Sequence, residues 1–156
     1  MDRVATIVAI AIGSNLGDRR AHLDYSTSRL GSILGNIRVS SYVETDPVDA
    51  PGPQPRFLNA AATGEVTVAA RDLLDTLLAI ERERGRERPV PGAARTLDLD
   101  LVLFGSQVIN EPGLVVPHPR FRKRPFVLAP LAQIAPGLVD PVTGKTVAEL
   151  LKLVSG

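Results

Sequence analysis

The sequence predicts an α+β fold with a mostly antiparallel sheet, and three observations carry that expectation. Strand-like and helix-like segments alternate as β-α-β-β-α-β over residues 4–104. The two helical stretches in that span are separated by two successive strands, so the chain is not a repeated βα unit. Beyond residue 105 a short extended piece and short helical pieces follow, set among prolines. That order is the split βαβ, ferredoxin-like arrangement, with short C-terminal helices appended.

Each element has its own warrant. Residues 4–12 are nearly all apolar and rich in Val and Ile, as for a central strand covered on both faces. GlySerAsnLeuGlyAsp (13–18) ends that strand and starts a helix of about twenty residues, with Asp18 favouring its N-terminal dipole. Leu23, Leu30, Ile33 and Leu34 fit one stripe, His22 falls on the exposed side, and Gly35-Asn36 closes the helix. Residues 37–44 alternate loosely as one half-buried strand. Four prolines and a glycine make 46–55 irregular. A strand over 57–68 and a helix over 69–84 follow, the latter turning Leu73, Leu74, Leu77 and Ile80 inward. After a second irregular stretch, 85–94, strict alternation marks a strand at 96–104. A short extended piece near 107–110, a proline-punctuated segment at 112–125, a helix near 126–134 and a last helical turn near 146–153 complete one domain, residues 1–156.

Composition narrows the function. The chain has 156 residues, 44% hydrophobic and 22% charged, enough to bury roughly two-thirds of its unfolded surface. The absence of cysteine excludes disulfides, thiolate metal sites and cysteine nucleophiles, and fits a cytoplasmic protein. No apolar run approaches the roughly 18 to 20 residues that cross a bilayer, and the apolar start runs straight into 13–18 as a strand, not a signal peptide. A net charge of +1 argues against a general polyanion binder. Neither membrane nor nucleic acid is expected as a partner. Yet eight of the fifteen arginines lie between residues 82 and 124, a local cationic zone.

The sharpest chemical signal is ArgThrLeuAspLeuAspLeuValLeuPheGly, residues 95–105. Alternation sends Leu97, Leu99, Leu101 and Leu103 to one face and Asp98 and Asp100 to the other, their Cα atoms about 6.5 to 7 Å apart. Two carboxylates so close repel unless a proton or cation intervenes, and Asp is depleted in strands. A divalent metal resolves both problems: Mg²⁺ takes hard oxygen ligands from one or two carboxylates plus substrate phosphates. The plain alternative is a solvated edge strand. Arg86, Arg88 and Arg95, beside the 85–94 stretch, suit bidentate gripping of phosphate. Arg82 and Arg84 alternate with glutamates and read as a solvated helix face. Glu81 falls on the buried stripe and needs a partner, an arginine or a ligand.

His118 is fixed between Pro117 and Pro119. Arg120, Arg122, Lys123 and Arg124 extend the cationic zone. Phe57 and Asn59 share a strand face, an aromatic surface and an amide that suit a flat heterocycle, or else simply a core Phe and a strand Asn. ThrGlyLysThr (143–146) imitates the end of a phosphate-binding loop, but Val139 stands where its first glycine belongs. On these residues a metal-dependent phosphoryl-transfer enzyme, a phosphohydrolase with Asp-x-Asp, and an RNA- or nucleotide-binding module all remain, the last weakened by only six aromatics.

Four separated motifs in order, AlaIleGlySerAsnLeuGlyAsp (11–18), PheLeuAsnAlaAla (57–61), 95–105 and ValProHisPro (116–119), resemble the 6-hydroxymethyl-7,8-dihydropterin pyrophosphokinases over nearly the whole chain. The resemblance implies a ferredoxin-like α+β fold and transfer of a pyrophosphoryl group from ATP to the pterin hydroxymethyl group, releasing AMP; a monomer is expected. By the same resemblance, Asp98 and Asp100 bind two Mg²⁺, and Arg86 and Arg95 are catalytic. It places ATP contacts on Arg88, Leu101, His118 and Arg124, and pterin contacts on Thr45, Val48, Phe57, Asn59 and Phe126. Loops 46–55 and 85–94 would close over both substrates. This chain departs from the pattern in lacking tryptophan and in carrying Leu78 where a glutamine is usual.

Overall fold

The computed structural model describes residues 4–46, 54–85 and 96–155. Its centre is β1 (Thr6–Ser14), whose last seven residues are all buried. β1 pairs antiparallel with β4 (Phe57–Val66) on one side and with β5 (Asp98–Phe104) on the other. β2 (Gly35–Val39) and β3 (Val43–Thr45) pair in turn with β4, giving the order β2-β4-β1-β5 with β3 beside β4. Counting β2 and β3 as one bent strand recovers the expected β-α-β-β-α-β order, antiparallel throughout. The bend falls at Ser40, which exchanges two hydrogen bonds with Ala61: its N–H donates to the carbonyl, and its Oγ accepts from the Ala61 amide, both at 2.9 Å.

α1 (Arg19–Gly31) is shorter than its sequence suggests. Asp18 caps it, accepting from the Ala21 amide at 3.1 Å. Ser32 ends it, with both its N–H and its hydroxyl turned back to the Arg29 carbonyl. Gly35 then opens β2 instead of closing the helix. His22 is half-buried, not exposed, because Arg84 at the end of α2 (Ala70–Glu83) donates to its Nδ1 at 2.9 Å. Leu23 and Leu30 of α1, with Leu73, Leu77 and Ile80 of α2, bury against Val8, Ile10 and Ile12 of the sheet. Each such side chain stabilises the fold by about 1.5 to 3 kcal/mol. Gly64 makes the close approach possible, since a Cβ there would lie 2.6 Å from the Leu34 Cβ.

The opposite face is covered by α3 (Pro125–Ile134) and α4 (Val147–Ser155), packed on Ala9, Ala11, Ala61, Val102 and Leu103. The sheet is thus sandwiched, as the unbroken apolar run of β1 requires. β5 departs from strict alternation. Ala9 pairs with Leu103 but Ile10 pairs with Leu101, so Val102 is an extra residue in a bulge. Leu103 consequently faces α3 and α4, not the face of Leu97, Leu99 and Leu101. The extended piece after residue 105 is one arm of a hairpin, β6 (Ile109–Glu111) and β7 (Leu114–Val116), turning at Pro112-Gly113. A short 3₁₀ turn, Phe121–Lys123, leads into α3. The 143–146 lookalike belongs to a tight turn held by Asp140, which is fully buried and pairs with Arg122 at 2.5 and 3.0 Å.

Candidate active site

Towards the C-terminal end of β1, the α3–α4 face of the sheet changes from alanine to polar residues. Register places Val43, Asn59, Gly13 and Asp98 in one cross-strand row, and Ala61, Ala11 and Asp100 in the next. Paired residues share a face, so Asp98 and Asp100 stand on the same side as Asn59, separated from it by β1 alone. Two strand spacings make that about 10 Å between backbones. Gly13 keeps the interval open: a Cβ there would come within 3.3 Å of Asn59 Oδ1 and 3.5 Å of the Phe57 ring. Thr45 pairs with Phe57, and Asn59 Nδ2 donates to Thr45 Oγ1 at 2.5 Å. Phe57, Asn59 and Thr45 therefore form a shelf with an aromatic face and an amide.

On the other side of the acids, around the outer edge of β5, lies a cleft of about 560 Å³. Leu74 and Leu78 of α2, Leu99 and Leu101 of β5, and Leu114 and Val115 of β7 supply its apolar lining, and Asp98, Asp100, His118, Arg120 and Arg124 its polar lining. Such a cavity holds a molecule of nucleotide size, with apolar surface for a ring and charged groups for a polar tail. Glu81 also reaches the cleft. Its Oε2 accepts the Leu99 amide at 2.6 Å, so a backbone donor on β5 answers the demand for a partner.

His118 is held by both ends. Its N–H donates to the Val102 carbonyl at 2.9 Å, and its Nδ1 accepts the Arg120 amide at 3.1 Å. Burial, followed by the charge of Arg124, depresses its pKa to about 4 against a smaller opposing pull from Asp98 and a further lowering by Arg120. The ring is neutral at pH 7 and, with Nδ1 accepting, presents Nε2–H as a donor. The Arg124 guanidinium lies 5.5 Å from the centre of the Phe126 ring, and Phe126 packs against the α3–α4 core.

The structure therefore brings together Asp98, Asp100, Leu101, His118 and Arg124 around the cleft, and Thr45, Phe57 and Asn59 on the shelf. Val48, Arg86, Arg88 and Arg95, with most of loops 46–55 and 85–94, lie outside the described residues. Of the other cations, Arg122 is committed to Asp140, while Arg120 lines the cleft. Sequence reasoning missed Gly13 as the gap in the floor and the 113–115 wall. Pro112-Gly113 before the apolar run Leu114-Val115-Val116 was the turn signal for that hairpin.

This arrangement can hold a phosphorylated molecule with its tail at two acids, against a flat polar acceptor, which is the work of a nucleotide-dependent phosphotransferase. Residues 9–136 match the family described as 7,8-dihydro-6-hydroxymethylpterin-pyrophosphokinase (HPPK), and the chain belongs to that family. It is 42% identical over 146 residues to the 2-amino-4-hydroxy-6-hydroxymethyldihydropteridine pyrophosphokinase of Pseudomonas aeruginosa, covering 92% of this chain and 89% of that one. Against the proteins of the same name from Bacillus subtilis and Synechocystis sp., identity is 43% over 130 residues (82% and 77% of the two chains) and 39% over 147 residues (93% and 74%). Among solved structures, wild-type Plasmodium falciparum HPPK-DHPS superposes with a TM-score of 0.75 at 15% identity over 99% of this chain, which spans 46% of that longer polypeptide. That likeness speaks for the fold. The family's reaction is this protein's: it is an ATP-dependent pyrophosphokinase acting on hydroxymethyldihydropterin in folate biosynthesis.

Proposed function

We propose that the β5 edge cleft takes ATP, that the shelf of Thr45, Phe57 and Asn59 takes 6-hydroxymethyl-7,8-dihydropterin, and that transfer occurs between them at Asp98 and Asp100. The observation that carries this reading is the cross-strand row Asn59–Gly13–Asp98, which sets an acceptor shelf and an acid pair on one face with no side chain between. Val48, beside the shelf in sequence, and Phe126, at the start of α3, complete the pterin contacts in this reading.

The acid pair fits Mg²⁺. Both carboxylates stand on one face beside Ala11 and Gly13, which leave room for an ion, and hard oxygens are the donors it takes. Among the described residues no group of three or more His, Cys, Asp or Glu forms a metal cage. That donor set suits ions whose remaining positions are filled by water and phosphate, and Asp98 and Asp100 would hold two Mg²⁺ with ATP. Bound there, the ions would supply charge neutralisation on the triphosphate and acidify the attacking hydroxyl.

The chain's own groups do the rest. Arg124 and the neutral Nε2–H of His118 bind phosphate oxygens in the cleft, and Leu101 packs against the base. Arg86, Arg88 and Arg95 carry the remaining phosphate charge, with Arg86 and Arg95 as the catalytic pair. Attack by the hydroxymethyl oxygen on the β-phosphorus is in line, and AMP leaves. Positioning and electrostatics supply most of the rate, with no side chain assigned as base. The whole site belongs to one domain, a monomer working in the cytoplasm.

Mass analysis of products from ATP, Mg²⁺ and the pterin tests this directly. The expected products are AMP and the pterin diphosphate. ADP, or free phosphate released without pterin, would replace the reading by a kinase or a hydrolase.

A further inference from the structure

The motif at residues 13–18 contributes no group to the chemistry, yet the helix it starts reaches the pterin shelf from behind. Arg19, the first residue of α1, sends its guanidinium across to the paired strand ends that carry Thr45 and Phe57. Its Nη1 donates to the Arg56 carbonyl at 2.8 Å, and its Nη2 pairs with Glu44 Oε1 at 2.5 Å. Glu44 and Arg56 immediately flank Thr45 and Phe57, which are themselves register partners. Their side chains alternate, so Thr45 and Phe57 face the acids while Glu44 faces α1. The β3–β4 ladder is only three residue pairs long, and Thr45–Phe57 is its last rung. A rung at the end of so short a ladder frays unless something outside the sheet ties it.

We infer that Arg19 is a positioning residue for pterin binding, clamping both strands of the terminal Thr45–Phe57 rung through one planar guanidinium. The inference rests on the shelf being the pterin site. Two further observations support it. Arg19's hydrogen bond and charge hold the Glu44 carboxyl below its usual range, so the acceptor stays ionised. Immediately upstream of Arg56 the fully buried Asn15 donates to the Pro55 carbonyl at 3.2 Å and to Gln54 Oε1 at 2.9 Å, a second tie on the same strand entry. The Arg19–Glu44 pair is partly exposed, and pairs of that kind add little to global stability. Its value is geometric, because the planar fork spans two acceptors that a point charge cannot.

Arg19→Met, Arg19→Lys and Glu44→Gln in the full chain test it, with pterin affinity read by calorimetry, KM for each substrate by turnover, and Tm. Arg19→Met should raise the pterin Kd and KM about tenfold while the KM for ATP stays within about twofold and Tm moves little. Arg19→Lys should recover only part of the loss, and Glu44→Gln should cost less than Arg19→Met because the Arg56 carbonyl remains. Equal rises in both KM values, a large fall in Tm, or a lysine variant that matches the native protein would each overturn the clamp. Calorimetry separates this from the parent reading: native protein that binds pterin but forms no AMP would sink the transfer assignment alone, and native protein that binds no pterin would sink both.

Discussion

The two faces of the sheet are built from the same strands and meet different fates. Beneath α1 and α2, β1 presents Val8, Ile10 and Ile12, and Leu97 with Leu99 and Leu101 of β5 continues an aliphatic floor. On the other face the floor starts with Ala9 and Ala11, covered by α3 and α4, and then becomes Gly13, Asn59, Asp98 and Asp100. The continuous face supplies cohesion. The face that changes halfway spends part of its length on packing and the rest on a site. Within β5, neighbours one residue apart therefore face different demands: the leucines pack, and in the proposed reading the aspartates serve the chemistry.

The largest expected effect sharpens that contrast. Asp98→Ala should lower pyrophosphoryl transfer by about a thousandfold or more with Tm nearly unchanged. Leu97→Ala, on the other side of that aspartate and fully buried, should cost about 3 kcal/mol in denaturant unfolding while whatever remains folded keeps its KM values. If Asp98→Ala unfolds the protein, or Leu97→Ala changes KM more than stability, this division of labour is wrong. Next in size, Gly13→Ala puts a methyl group into the gap between shelf and acids. It should weaken pterin binding about tenfold and shift stability by under about 1 kcal/mol; unaltered pterin affinity would show that the gap is not used. A separate effect concerns pH. His118 titrates near pH 4 in the native protein against 6.5 for the free side chain, so the unfolded chain takes up its proton first. Stability should fall between pH 6.5 and 4 and lose nothing further from this group below that. His118→Gln should flatten the decline, and an unchanged slope would remove the burial argument.

Much of this was legible before any coordinates, for identifiable reasons. Alternation alone puts Asp98 and Asp100 opposite Leu97, Leu99 and Leu101, because a strand has a period of two and no other side of it is available. It fails at Leu103, since four apolar residues in a row from Leu101 to Phe104 give no sign of an extra residue at Val102. The length of α1 was overread because Ile33 and Leu34 continue the helical stripe from a turn outside the helix. His22 looked exposed because its partner, Arg84, lies on another helix. The shelf was half visible: Phe57 and Asn59 share a face by spacing, but their distance from the acids depends on which strand lies between, and pairing order is not written in local pattern. The contacts of Arg19 were hidden for the same reason, as its two acceptors are 25 and 37 residues away along the chain.

β5 is the last strand on its side of the sheet, and such a border is where one polypeptide recruits another into aggregates. Here two of its outward groups are already engaged, the Leu99 amide by Glu81 and the Val102 carbonyl by the His118 N–H. Residues that wall the cleft thus also stopper part of the sheet's raw border.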